Sequence, residues 1–319
     1  MSCTIKENYG TQHPKCQALE NANRANNYIK AFLIKTYMLC NGVVLDMPCG
    51  KGGDLKKFRA HMTAFYMGID LLPASIDEAR KRYVSTKCMF GAIFDVRDFT
   101  LPLDLQSKYD LVSCQFAMHY AWDQEERARQ VKNQASIAHP FAKLSKLKDC
   151  SEQVLRNACA NLKAGGYFIV TIPDYDEIMA RLVRLGTLQD QWNTAVQDEG
   201  LYRFRVGGEH HFIEFETNLS FTAFISSLKA QPFGHKYLYY QAGAVERVPE
   251  YLIPPQALAK LAAEEGLCIS SSRNFLHMLG SVDHQLLKQI GATTELSPEC
   301  KSVVGLFRAI VMTTRKRKH

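Results

Sequence analysis

Three aspartates and one glycine-rich turn have the residue types and spacing of a ligand site in this 319-residue chain. Asp46 lies near the end of an apolar run that begins at Val43, and the turn that follows, PCGKGGD, carries Gly50, Gly52 and Gly53. Glycines there let backbone approach a ligand closely. The amphipathic, Lys-bearing run behind them, to Phe58, reads as a helix whose first amides are free for that ligand. Alone, a strand, loop and helix of this kind is equally an ordinary βα connection. Two further apolar runs decide between the readings. AFYMGID, Ala64 to Asp70, ends in an acid about 20 residues beyond the turn, where a doubly wound fold holds an adenosine ribose. CMFGAIFD, Cys88 to Asp95, repeats the design. Acid-tipped strands in succession place carboxylates along the carboxyl edge of one parallel sheet.

The turn is not a dinucleotide fingerprint, because GxGxxG is absent, and it is not a P-loop, because Lys51 precedes two glycines. An adenosine-containing ligand without a pyrophosphate fits better, and S-adenosylmethionine is the common one.

The elements that must position these residues follow from periodicity. Asn23 to Leu39 reads as a helix with Asn26, Asn27 and Lys30 on one face and Ile29, Leu33 and Tyr37 on the apolar side. Pro73 opens a second helix at its first turn. Tyr109 to Phe116 and YFIVTIP, ending at Pro173, read as the fourth and fifth strands. From Leu201 to Val248 the pattern turns to aromatic alternation, an antiparallel insertion that builds a lid. Pro254 to Glu265 reads as helix, and Cys268 to Phe275 and Val303 to Thr314 as the last strands.

Composition sets the outer bounds. One α/β domain with insertions is the simplest count at this length. The formal charge of +7, from 39 basic and 32 acidic residues, favours an anionic partner. Ten cysteines without CxxC or Cys/His ligand spacing suit a reducing compartment rather than a zinc site. No signal peptide and no membrane-spanning apolar run is present. The terminal RKRKH, Arg315 to His319, is a nuclear address, a phosphate contact or a solvated end.

With these residues in view, LDMPCGKGGDL resembles the LDLGCGKGGDL signature of eukaryotic and viral mRNA cap guanine-N7 methyltransferases. The likeness continues in that family's order through NNYIKAFLI at Asn26, SCQFAMHYAW at Ser113 and LRNACANLKAGGYFIVTIPD at Leu155. FGHKY at Phe233 and VPEYL at Val248 complete it. The resemblance implies a Rossmann-like class I methyltransferase sheet, mostly parallel with an antiparallel last strand and helices on both faces. It also implies that the β-rich insertion at 201–248 is a cap-binding lid. Residues 1–40 form an N-terminal arm and helix on this reading, while 123–151 is an insertion relative to the family, whose Lys143, Lys146 and Lys148 suggest contact with RNA or a partner.

Site residues carry over by the same resemblance. Lys30 and the loop around Gly50 would hold the methionine end of S-adenosylmethionine. Asp70 would accept both ribose hydroxyls, Asp95 the adenine amino group, and Gln115 would line the cleft. Pro48 stands where the family has its first Gly, which removes an N–H at that point. His119 and Tyr120 would flank the cap guanine, Tyr120 also reaching the methionine side. Glu250 would accept the guanine N1–H and exocyclic amine. Asn26 and Asn27 would touch the cap, Lys51 its phosphates, and Pro173 would wall it. Phe307 stands where many members have Tyr, keeping stacking but not a hydroxyl bond.

The implied activity is methyl transfer to guanine-N7 at the 5′ end of capped RNA, leaving S-adenosylhomocysteine and using no metal. That nitrogen's lone pair is free at neutral pH, so the site needs binders and no general base. A nuclear location, or a cytoplasmic one for a viral chain, no membrane, a monomer, and capping-enzyme subunits or the transcription machinery as partners follow from the same likeness. The rival readings are a methyltransferase for another RNA base, which would lack HYAW and VPEYL, and a degenerate regulatory subunit of a capping complex, which would have lost the Gly loop or the ribose acid.

Overall fold

The computed structural model describes residues 17–123, 150–187, 201–231, 233–280 and 296–314. The 124–149 stretch, most of the expected basic insertion, lies outside them, as do residues 1–16 and the RKRKH tail. Helix α1 spans Gln17–Tyr37, six residues earlier in its start than periodicity alone suggests. Strand β1 (Val43–Asp46) leads through the glycine turn to α2 (Leu55–Ala60). After it come β2 (Phe65–Asp70), α3 (Pro73–Ser85), β3 (Gly91–Val96), β4 (Tyr109–Gln115) and a 3-10 turn at Met118–Trp122. Then follow α4 (Cys150–Asn161), β5 (Leu162–Pro173) and α5 (Tyr175–Thr187).

Seven strands form one sheet in the order β10-β11-β5-β4-β1-β2-β3, where β10 is Leu267–Asn274 and β11 is Phe307–Thr314. The pairs from β5 to β3 are parallel. Strand β11 enters antiparallel between β5 and β10, as the resemblance implies. Alternation along each strand divides the core. Val44, Tyr66, Leu111 and Ile169 face a cluster with Ile29 and Leu33 of α1 and Leu55 and Phe58 of α2. Their neighbours Leu45, Met67, Val112 and Val170 face another, with Val154 and Leu155 of α4 and Leu258 and Leu261 of α7 (Pro255–Glu264). Helices therefore cover both faces.

A separate antiparallel sheet runs β6 (Tyr202–Gly207), β7 (His211–Thr217), β8 (Lys236–Gln241) and β9 (Val245–Tyr251). Inside it, residues read above as β-rich form helix α6 (Phe221–Ala230). Phe221, Phe224, Ile225 and Leu228 recur at i, i+3, i+4 and i+7, a helical period that the flanking aromatic alternation hides. The start of the last strand is corrected likewise. Val303 and Val304 end helix α9 (Pro298–Val304), which follows the short α8 (Phe275–Gly280). Ser297 caps α9 by accepting from the Cys300 amide at 3.1 Å, with Pro298 in its first turn.

Candidate functional site

The glycine turn is shaped by two residues with left-handed φ. Gly50 has φ +53°, and a Cβ there would meet nothing within 4 Å, so its open side faces a space a ligand can use. Gly52 has φ +72°, and a Cβ there would lie 2.6 Å from Leu55 Cδ1 and 3.2 Å from Ala79 Cα, so close packing of α2 on α3 requires glycine. Pro48 brings no amide to this turn; the first to donate is Cys49, to the Ile69 carbonyl at 2.8 Å. The next, Gly50, donates to Asp70 Oδ2 at 2.9 Å, and Leu72 N–H donates to Asp70 Oδ1 at 2.9 Å. Each Asp70 oxygen thus has one backbone donor and a lone pair to spare. Burial pushes the Asp70 carboxyl up, while those two amides hold it down.

Asp95 sits at the tip of β3, where Arg97 Nε donates to Oδ2 at 2.6 Å and the Val96 amide to Oδ1 at 2.9 Å. The Arg97 hydrogen bond draws its carboxyl below the usual range. The β2–β3 register pairs Asp70 with Val96. Leu71 and Val96, 55% and 44% exposed, present apolar side chains beside the two acids. Neither was singled out in the sequence, although both follow an acid-tipped strand. A carboxylate with spare acceptors, an open glycine and flanking apolar side chains fit an adenosine moiety.

Asp54, given no role above, is the hub of the turn. Its carboxylate lies 2.8 Å from Lys30 Nζ and 2.6 Å from Lys57 Nζ. Burial works against its ionisation, but the two ammonium groups outweigh it and hold the carboxyl below its ordinary value. Lys57 also donates to Asn27 Oδ1 at 3.0 Å. Asn27 is exposed and tied to Lys57 and to the Asn23 carbonyl, whereas Asn26 is buried with Oδ1 lacking a hydrogen-bond partner. The two asparagines therefore do not share one environment. Lys51 is exposed.

Asp46 is buried under the turn and accepts from the Tyr66 hydroxyl at 2.8 Å. Burial, with the Asp54 charge adding, pushes its carboxyl up to about 7, against hydrogen bonds from Tyr66 and Ser113. In the unfolded chain the group titrates near ~3.9. Between these values the folded chain binds the proton more tightly, so stability falls as pH rises through the window, by up to about 1.4 kcal/mol per pH unit. Asp46→Asn keeps an acceptor for Tyr66 and removes this slope. Its Tm should vary less than that of the wild type between about pH 5 and pH 7.5, and be higher at the alkaline end. Equal slopes in the two Tm–pH curves would refute the assignment.

Beyond β4, Phe116 takes φ +53°. Its amide donates to the Thr171 carbonyl at 3.0 Å and hydroxyl at 2.9 Å. Thr171 in turn donates to Gln115 Oε1 at 3.1 Å, which fixes Gln115 at the end of the sheet. The Phe116 ring meets Phe307 edge-on at 4.9 Å. Phe307 is buried, pairs in register with Pro173, and packs on Phe275 and Tyr239 as well.

The 3-10 turn then brings HYAW to the second sheet. His119 is 2% exposed, with its Nε2 3.5 Å from Glu250 Oε1. That approach is not a hydrogen bond, and both ring nitrogens lack a hydrogen-bond partner. The Tyr120 hydroxyl reaches Glu250 Oε1 at 3.5 Å, and the Tyr237 hydroxyl donates to Oε2 at 2.7 Å. FGHKY holds this arrangement together. Phe233 stacks on Trp122 at 5.8 Å, Gly234 N–H donates to the Trp122 carbonyl, and Leu252 N–H donates to the His235 carbonyl at 3.0 Å. Buried polar atoms left without partners cost free energy unless something else completes them, and here they include both His119 ring nitrogens, Trp122 Nε1 and Asn26 Oδ1. Among the described residues no cluster of three or more His, Cys, Asp or Glu could hold a metal ion. Nor is any helix there long and apolar enough to cross a membrane.

Known proteins bear on this geometry. In fold, the chain is similar to the CcbJ methyltransferase from Streptomyces caelestis, with a TM-score of 0.52, 12% identity and coverage of 92% of this chain and 90% of that one. In sequence it is 29% identical to mRNA cap guanine-N(7) methyltransferase 1 of Arabidopsis thaliana, over 90% of this chain and 71% of that protein. It is 32% identical to the mRNA cap guanine-N(7) methyltransferase of Saccharomyces cerevisiae over 78% of this chain, and spans about half (51%) of that protein's length. The family model for the mRNA (guanine-N(7))-methyltransferase domain matches residues 7–142 and 145–294. With nearly the whole chain matched, this protein belongs to the mRNA (guanine-N(7))-methyltransferase family.

Proposed function

We propose that this chain methylates guanine-N7 at the 5′ end of capped RNA, with S-adenosylmethionine as donor and S-adenosylhomocysteine as product. The observation that carries the reading is the buried Glu250 carboxylate, with Nε2 of the equally buried His119 3.5 Å from its Oε1. When bound, S-adenosylmethionine supplies a methyl group activated by its sulfonium. Asp70 takes the ribose hydroxyls on its spare lone pairs, Leu71 and Val96 flank the adenine, and Asp95 lies within the same strand edge. Gly50, Gln115 and the Lys30–Asp54 pair border the methionine end.

On the acceptor side, Glu250 takes guanine's N1–H and amine, while His119 and Tyr120 fix the ring. Asn26 completes its free oxygen on the same ligand. Lys51 and Lys57 lie next to the turn, where a triphosphate would run, and Asn27 acts there through Lys57. Pro173 and Phe307 form the floor. Holding the reactants in line supplies up to roughly 7–11 kcal/mol of the barrier reduction. A carboxylate facing a guanine that becomes cationic adds electrostatic stabilisation. The second sheet acts as the lid, and capping-enzyme subunits and a nuclear setting fit this activity.

Labelled methyl transfer tests it. A guanosine-triphosphate-capped oligonucleotide should accept the label, while uncapped RNA of the same sequence should not; equal labelling of both would overturn the reading. No proton transfer lies in the path. The kcat profile should therefore show no ionisation between about pH 6.5 and 8.5 that His119→Ala abolishes. A His119-dependent inflection where chemistry limits the rate would require a general base.

A further inference from the structure

We infer that Tyr237 is a positioning residue that sets guanine selectivity by locking the Glu250 carboxylate in one orientation. The inference rests on the cap-guanine reading of Glu250. Strands β8 and β9 pair antiparallel with Tyr237 directly opposite Glu250, so both side chains stand on one face of the sheet. The Tyr237 hydroxyl donates to Oε2 at 2.7 Å, the length of a charge-assisted bond. Tyr237 is 1% exposed, and its ring packs on Phe215 at 5.7 Å, so the hydroxyl has little freedom to move.

The other groups facing this carboxylate are weaker anchors. Tyr120 and His119 each approach Oε1 at 3.5 Å. Tyr239, two residues along β8, donates instead to Gln241 Oε1 at 2.8 Å. Among the described residues no lysine or arginine forms an ion pair with Glu250, whereas Glu214 of the same sheet has Arg205 and Arg247. A buried carboxylate without a cation depends on its hydrogen-bond donors. Burial and the Glu250 charge push the Tyr237 phenol well up, so it remains a donor throughout the working range.

The consequence is selectivity. Guanine offers two donors, N1–H and the exocyclic amine, and both are met only by a carboxylate whose plane is fixed. Inosine keeps N1–H and lacks the amine. With Tyr237 in place, the ratio of kcat/KM for guanosine-capped over inosine-capped RNA reports the amine contact. Without the hydroxyl the carboxylate can turn to serve N1–H alone.

The test is Tyr237→Phe, which keeps the ring and its packing. The guanosine-to-inosine ratio should fall by about tenfold, the size of one lost hydrogen bond to a charged group, while S-adenosylmethionine affinity stays near wild type. A second measurement covers a destabilised variant. Because Tyr237 acts through Glu250, Tyr237→Phe should lower the guanosine ratio little further when added to Glu250→Gln. Equal losses on both capped substrates, or losses that multiply in the double variant, would overturn the inference. If the wild type methylates neither cap, the function assignment itself fails, which is a distinct outcome.

Discussion

Replacing Glu250 by glutamine should lower kcat/KM on capped RNA at least about 100-fold, equivalent to ~3 kcal/mol, with S-adenosylmethionine binding nearly intact. The surroundings dictate why so small a change is severe. Tyr237 donates to Oε2 at 2.7 Å, and as a donor there it selects the carbonyl oxygen of the new amide. The NH2 then occupies the position of Oε1, beside His119 and Tyr120. The carbonyl oxygen can still accept one guanine donor, but the other would face the NH2, donor against donor. The charge that favours the cationic product is lost with it. Steady-state kinetics on a capped oligonucleotide, with calorimetry for the cofactor, separates the two halves of the site. Full activity would remove Glu250 from guanine recognition.

The second large effect belongs to the other half. Asp70→Ala should weaken S-adenosylmethionine binding by roughly 2–4 kcal/mol, about 30- to 1000-fold in Kd. Alanine removes the acceptor for two ribose hydroxyls. It also frees the Gly50 and Leu72 amides, which the carboxylate now holds at 2.9 Å each, so the glycine turn is left with the Cys49 amide on the Ile69 carbonyl as its backbone tie to β2. Asp70→Asn retains one oxygen and should fall between alanine and wild type. Unchanged affinity in a variant whose Tm shows it folded would place the ribose elsewhere.

The turn and strand-tip acids proposed for the cofactor were legible in the chain because their placement is local. A strand, a glycine turn and a helix N-terminus are contiguous, and acids at strand tips land on one edge whenever the strands are parallel. Asp46, Gly50, Asp70 and Asp95 could be placed by counting. The antiparallel last strand was reached through resemblance, since nothing local specifies it.

Occupancy was not legible. Asp54 is spelled out in the KGGD run, yet its role as the hub for Lys30 and Lys57 depends on α1 lying across the turn. Asp95 and Arg97 are two residues apart, but that Arg97, just past the end of β3, already occupies the Asp95 carboxylate is seen only in the structure. Helices α6 and α9 were hidden for a related reason. Short apolar runs satisfy two periods at once, and tertiary contacts choose between them.

The grouping around Glu250, proposed for the acceptor, comes almost wholly from the fold. Glu250 and Tyr120 are 130 residues apart and meet because the FGHKY segment ties β9 to the 3-10 turn. Tyr237, an ordinary aromatic in a β pattern, becomes the anchor of that carboxylate through strand register alone. The sequence by itself determined which chemical groups are available and which of them are neighbours along the chain. Tertiary structure decided which are already paired and which remain free for a ligand, because that depends on burial and on partners brought in from distant strands.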